Sequence, residues 1–99
     1  MGNDEDVIMR VRANLWRGAE SVGGHLTLTD THLHFRAHGL NIQTQPLDVP
    51  LAEIVSMRKY SNLRIVPNGL AVMTASGTEH RFVVGGRNHL IAAIEALQS

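Results

Sequence analysis

The sequence predicts a mainly β protein, an antiparallel sandwich or barrel of about seven strands with one α-helix that caps it at the C-terminal end. Apolar and polar residues alternate over most of the chain, which is typical of half-buried strands. Turn-forming residues separate these stretches at intervals of about 8–12 residues, as in small sandwiches and barrels. In the last segment the apolar period changes to that of an amphipathic helix, whose apolar face must pack against the sheet.

Length and composition bound the domain organisation. The chain of 99 residues has the length of a single domain, and we expect a flexible acidic tail over residues 1–6 and one domain over residues 7–99. It contains no cysteine, which excludes disulfides, thiol nucleophiles and thiolate metal sites. Nine Lys and Arg residues balance nine Asp and Glu residues, so we expect no nucleic-acid partner. No apolar run reaches the roughly 18 residues of a membrane span, and we expect a cytoplasmic protein that at most touches a membrane surface.

The first predicted strand begins at Val7. Its apolar face carries Val7, Met9, Val11, Ala13 and Leu15. Trp16 falls on the opposite, polar face, where it either anchors a partner or packs against the helix or a neighbouring strand. Gly18 and the pair at 23–24 indicate a loop after this strand.

A hairpin gives the clearest local signal in the chain. Two alternating stretches flank residues 30–31, and a short turn there sets Leu28 opposite Leu33. The same register sets Leu26 opposite Phe35. All four apolar side chains then share one buried face.

The second half of the chain predicts four more strands and the helix. Residues 37–46 form an irregular connection, and a short strand at 47–50 ends in a proline, which favours a sheet edge. The alternation over 54–60 is imperfect and indicates a bulge. Residues 67–69, Pro-Asn-Gly, predict a turn, with strands following at 70–74 and 79–84.

The predicted helix carries its apolar stripe at Leu90, Ile91, Ile94 and Leu97. The residue that caps its first turn is left open among Gly86, Arg87 and Asn88.

Several short blocks carry a resemblance to a known family. They are ANLWRG at 13–18, GGHLTLT at 23–29, LHF at 33–35, HGLNIQT at 38–44, VPNGL at 66–70 and HRFVVGGR at 80–87. In order and spacing these blocks resemble GRAM domain proteins of the small bacterial type, over about residues 13–97. The resemblance implies a pleckstrin-homology-like fold, a bent seven-stranded antiparallel sandwich with a C-terminal helix at one end. It also implies a non-catalytic intracellular module that binds lipids or protein partners.

We therefore expect a binding module and no enzyme, because no nucleophile, paired catalytic carboxylates or phosphate-binding loop can be argued from spacing. Strand edges favour recognition of a protein segment or self-association as a homodimer. The alternative is binding to anionic lipid headgroups. Its candidate residues are Arg58, Lys59 and Arg64 for the headgroups and Leu40 and Ile42 for insertion.

Three of the six histidines, His25, His32 and His34, are expected on the outer face of the predicted hairpin, as candidates with Trp16 for a partner surface. Imidazoles on neighbouring strands can bind Zn²⁺, which makes a histidine metal site a remote alternative. Because no carboxylate is evident on that face, we expect no metal and no cofactor. His80 shares the strand face of Phe82 and Val84, at the edge of the core.

Overall fold

The structure, a computed structural model, describes residues 5–39, 45–62 and 66–99. Its elements are β1 (Val7–Arg17), β2 (Glu20–Thr29), β3 (His32–Ala37), β4 (Leu47–Pro50), the 3₁₀ turn η1 (Leu51–Glu53), β5 (Ile54–Asn62), β6 (Val66–Thr74), β7 (Glu79–Val84) and α1 (Arg87–Gln98). The strands form one antiparallel sheet in the order β4-β3-β2-β1-β7-β6-β5. The prediction of a mainly β fold with about seven strands and a C-terminal helix is confirmed.

The sheet bends back on itself and encloses the core. Phe35 on β3 and Phe82 on β7 belong to strands that are not neighbours, yet their ring centroids are 6.3 Å apart. The two halves of the sheet therefore face each other as the layers of a sandwich. Leu90 and Ile94 of α1 are fully buried, so the helix covers the end of this core.

The predicted hairpin is present with its predicted register. Leu28 pairs with Leu33 and Leu26 pairs with Phe35 across β2 and β3. The hydroxyl of Thr29 accepts hydrogen bonds from the N–H groups of Thr31 and His32, at 3.2 and 2.9 Å. This side chain satisfies backbone donors that the tight turn leaves without a strand partner.

The loop predicted around residues 18–24 is wrong. A tight turn at Gly18, whose φ is 63°, is followed at once by β2 from Glu20. Gly24 lies buried within β2, where a Cβ atom would collide with the carbonyl oxygen of Arg36 on β3. The glycine permits a close backbone approach and does not mark a turn.

The turn predicted at residues 67–69 is also wrong, since these residues lie within β6. Gly69 pairs with Tyr60 of β5, and a Cβ at Gly69 would collide with the Tyr60 ring. The Tyr60 hydroxyl donates a hydrogen bond to the Phe82 carbonyl at 2.9 Å, so the ring lies across β6. An aromatic ring over a strand glycine is a recognised way to fix register.

Register shifts alter the predicted faces of β1 and β5. The register between β1 and β2 shifts between Val7 and Met9, and Val7 is 64% exposed although its alternation predicted an inward position. The register between β5 and β6 shifts between Ile54 and Ser56, which confirms the bulge predicted in this strand.

Both ends of α1 are tied to β5 or the turn before it. Gly86, in the left-handed conformation, caps the first turn. Arg87 donates to the carbonyls of Tyr60 and Gly69 at 2.8 and 2.9 Å. At the other end, the Gln98 side chain donates to the carbonyls of Leu51 and Ile54, each at 3.1 Å. The helix is thereby fixed alongside β5.

Candidate functional site

Two histidines and two carboxylates meet on the outer face of β3, and we call them the β3 histidine cluster: Glu5, His32, His34 and Asp48. His32 and His34 are two residues apart on one strand, so their side chains point to the same side. Their rings stack with centroids 5.2 Å apart and planes 5° apart. Asp48 reaches the cluster from β4, where it pairs directly with His34.

Glu5 enters the cluster because the residues before β1 bind the β2–β3 turn. The Asp30 N–H donates to the Asp6 carbonyl at 3.0 Å, and the Asp6 N–H donates to the Asp30 carboxylate at 3.1 Å. Thr29 donates its hydroxyl proton to Glu5 at 2.6 Å. At Glu5 and Asp6 the structure therefore differs from the flexible tail expected over residues 1–6.

His34 lies between the two carboxylates. Its Nε2 is 2.7 Å from Glu5 Oε1, and its Nδ1 is 2.6 Å from Asp48 Oδ1. Arg36 also contacts Asp48, at 2.8 Å. Burial opposes protonation of His34, but hydrogen bonds and charge from Glu5 and Asp48 outweigh it, so the pKa of His34 is raised.

The same contacts favour the ionised carboxylates. The pKa of Glu5 is lowered, first by the hydrogen bond from Thr29 and then by that from His34. Burial alone would raise the pKa of Asp48, yet hydrogen bonds from His34 and Arg36 lower it. The expectation that no carboxylate stands on this face is wrong.

Sequence spacing alone does not predict that these two carboxylates lie beside His34. Glu5 is 29 residues from His34, and no local pattern joins them. Asp48 does fall on the polar face of the short strand at 47–50, and pairing of that strand with β3 would have placed it beside His34. The signal for Asp48 was present, but only together with the strand order.

His25 lies apart from the other two hairpin histidines. It pairs with Arg36 on β3 and makes an edge-on ring contact with His38, at 5.2 Å between centroids. Burial first, and then the charge of Arg10, lowers the pKa of His25. The predicted group of three is thus divided into a stacked pair and a separate contact.

Trp16 is half-buried at a cleft of about 520 Å³ that Leu47 and His80 also line. Arg17 closes one side of it by donating to the Gln45 side chain at 3.1 Å. Burial lowers the pKa of His80, and the charge of Arg17 lowers it further. Trp16 therefore borders an open cleft, and its role as an anchor for a partner stays a prediction.

The predicted basic set does not form one surface in the described residues. Arg58 and Lys59 are consecutive on a regular stretch of β5, so they point to opposite faces. Arg58 is paired with Glu79 of β7 at 3.2 Å and lies 5.9 Å from the Tyr60 ring centroid. Arg64, Leu40 and Ile42 lie outside the described residues.

Lys59 instead borders a groove between β5 and α1, which we call the β5 groove. Its volume is about 460 Å³. Val55 and Met57 line it from β5, and Ile91 and Glu95 line it from α1. Strand β5 ends the strand order of the described sheet, so the groove runs beside an open strand edge. The α1 residues of this groove belong to no candidate site predicted from the sequence.

The family model for the GRAM domain matches residues 1–94. The chain belongs to the GRAM domain family. No curated protein gives a significant match to this GRAM domain. Domains of this family and pleckstrin-homology-like domains are typically non-catalytic modules that bind lipids or proteins.

Two solved structures share the fold of this GRAM domain. The C-terminal domain of an unknown protein from Leishmania infantum aligns with a TM-score of 0.80 and 16% identity, covering 94% of this chain and 84% of that one. The Vps36 N-terminal PH domain aligns with a TM-score of 0.71 and 15% identity, covering 99% of this chain and 83% of that one. At such identities the likeness shows the pleckstrin-homology-like fold alone. Within the described ranges, no helix has the length and apolar character that crossing a bilayer requires.

Proposed function

We propose that this GRAM domain is a non-catalytic module that binds an extended protein segment along β5, in the β5 groove. The open edge of β5 is the observation that carries the proposal. A strand at the end of a sheet leaves every second backbone N–H and C=O directed outward, and an added strand can satisfy them. The family's general role as a binding module supports this function, and we place it in the cytoplasm.

The two edges of the described sheet are unequal. Strand β4 has four residues and ends at Pro50, which has no N–H to donate. Strand β5 has nine residues. The side chains of Gln98 and Arg87 occupy two carbonyls of this strand, those of Ile54 and Tyr60. A bound segment would therefore pair with the residues between these two positions. Length and hydrogen-bonding capacity therefore favour β5.

The β5 groove also offers contacts for the side chains of a bound segment. Met57 and Ile91 are partly buried and pack against the core, so they form an apolar floor. Lys59 and Glu95 are exposed and border it with charges of both signs. We expect a segment with an apolar residue that contacts the floor and polar residues on either side of it. Backbone pairing supplies affinity in such a complex, and these side chains supply selectivity.

Peptides selected from a phage-displayed library against the full chain provide the probe. Addition of such a peptide should shift and protect the amide signals of β5 and shift those of α1 in NMR spectra. Val55→Glu should weaken binding by at least about tenfold, because it places a charge at the groove. Val7→Glu is the matched control, since Val7 and Val55 are exposed to 64% and 61% and Val7 lies on β1. Val7→Glu should bind like the native chain.

Shifts confined to other strands, or equal binding by the two valine variants, would contradict the proposal. The mass in solution is measured in parallel by sedimentation. A concentration-dependent mass that Val55→Glu abolishes would assign the β5 edge to a second copy of this chain. In that homodimer, β5 of the second copy would pair with the β5 edge in place of the bound protein segment.

A further inference from the structure

Three side chains of the β3 histidine cluster, Glu5, His32 and His34, each offer one ligand atom, and these three atoms lie within 4.8 Å of one another. Glu5 Oε1 is 2.7 Å from His34 Nε2 and 3.6 Å from His32 Nδ1. Ligand atoms bound to one tetrahedral Zn²⁺ ion at about 2.0–2.2 Å lie about 3.3–3.6 Å apart, so the Glu5 and His34 atoms must separate by under about 1 Å to admit an ion.

The chemistry of these donors favours a transition metal. Two imidazole nitrogens and one carboxylate oxygen form a set that holds Zn²⁺ in three positions and leaves a fourth for water or an external ligand. Imidazole donors suit zinc, copper and nickel better than calcium or magnesium, which prefer oxygen ligands. The cluster is half-exposed, and side-chain exposures of 32% for His32 and 19% for His34 leave a path for an ion.

A second layer of contacts already orients these donors. Asp48 contacts His34 Nδ1, which leaves Nε2 to face Glu5. Thr29 holds Glu5 through its hydroxyl, and Glu5 is brought close by the contacts of Asp6 with the turn. In metal sites the ligating histidine commonly donates its other N–H to a carboxylate, which fixes the ring and increases its basicity. A cation would replace the proton between His34 and Glu5, while Asp48 keeps the proton on Nδ1.

We propose that Glu5, His32 and His34 form a site for a divalent transition metal ion, with Zn²⁺ as the best match, and that Asp48 positions His34 for it. This proposal departs from our sequence-based expectation of no metal, which rested on the missing carboxylate. The site lies at the β4 end of the strand order, whereas the β5 groove lies at the opposite end. The metal site and the β5 groove can therefore be tested independently of each other.

Calorimetric titration of the full chain, prepared without an affinity tag, with zinc chloride and a competing chelator tests the site. We expect one ion per chain. His32→Ala and His34→Ala should each weaken binding by more than about 100-fold, and Asp48→Asn by about 10–100-fold, as is typical of outer residues at metal sites. His89→Ala is the control, because His89 is exposed on α1, and it should bind as the native chain does.

The variant Glu5→Gln separates a loss of zinc binding from a loss of folding. Glutamine keeps the shape of the side chain and the acceptor for Thr29, but it is a poor zinc ligand. It should weaken zinc binding while circular dichroism shows a native sheet. Absence of zinc binding by the native chain would overturn the proposal and leave the cluster as a network of ion pairs. Binding that Glu5→Gln and the double variant His32→Ala/His34→Ala retain would overturn it too.

Discussion

His34 and His80 show how neighbouring groups set the charge of a histidine on this sheet. Each loses hydration on its strand, and that loss alone would lower both pKa values. Contacts with two carboxylates reverse the direction at His34. At His80 the Arg17 charge adds to the effect of burial. The pKa values of the two residues therefore move in opposite directions.

The lowered pKa of His80 predicts a pH dependence of stability. The folded chain binds the His80 proton less tightly than the unfolded chain, whose value is about 6.5. By linkage, the stability that neutral His80 contributes is complete above that pH. It is lost as the pH falls through the lower pKa of the folded state. Urea unfolding from about pH 7.5 to about pH 5 should show the free energy of unfolding falling more steeply for the native chain than for His80→Gln.

The comparison between these two chains cancels the opposite contribution of His34, which both retain. If the free energy of unfolding changes equally with pH in the native chain and in His80→Gln, the lowered pKa of His80 is contradicted. A steeper fall of this free energy in the variant would contradict it as well.

Sequence alone placed His32 and His34 on a common face, because strand alternation is a local property. It could not supply their partners. Glu5 and Asp48 come from segments whose position depends on the pairing of β4 and on backbone contacts before β1. Such long-range contacts leave no periodic signal, so the cluster emerges only when the strands are assembled.

Among the elements, β2 and β6 show why glycines were misassigned. Glycine serves both at turns and where a neighbouring strand or ring approaches closely, and the residue itself does not distinguish the two. At Gly24 the neighbour is the backbone of β3, and at Gly69 it is the ring of Tyr60. The alternating strands, the hairpin register and the helix were predicted correctly, because each depends on residues close together in sequence.

Gly69→Ala should destabilise the β5–β6 pair. The added methyl group would displace the Tyr60 ring, whose hydroxyl is hydrogen-bonded to Phe82. Overpacking of this kind costs about 1–3 kcal/mol. Chemical unfolding measures the loss. Gly85→Ala is the matched control, since no atom lies within 4 Å of the Cβ position there. Equal free energies of unfolding for the two variants would show that the Tyr60 ring moves aside without cost.

For the molecule as a whole, charge balance argues against a strong attraction to anionic membranes. The formal net charge is zero, and within the described residues Arg58 is neutralised by Glu79. Anionic surfaces attract clustered basic residues by about 1 kcal/mol per residue. Lys59 lies on the opposite face of the strand and shares the β5 groove with the acidic Glu95, so it adds little to this attraction.

The protein should therefore stay in the supernatant when vesicles of phosphatidylcholine with phosphatidylserine are sedimented at neutral pH and physiological salt. Vesicles of phosphatidylcholine alone are the control. Salt-sensitive sedimentation with the mixed vesicles, abolished in Lys59→Glu, would assign the function to lipid binding instead.

The assignment to the small bacterial type of GRAM protein stays a prediction from sequence.

The pairing of β1 with β7 joins two meanders, one from β1 to β4 and the other from β5 to β7. Within each meander, the strands that pair follow one another in the chain. The junction between them consists of Ala13 with Val84, Asn14 with Val83 and Leu15 with Phe82. Most of the chain separates these partners, so forming this short junction carries the entropic cost of closing a long loop. The speed with which the protein folds thus depends on how early those few residues meet.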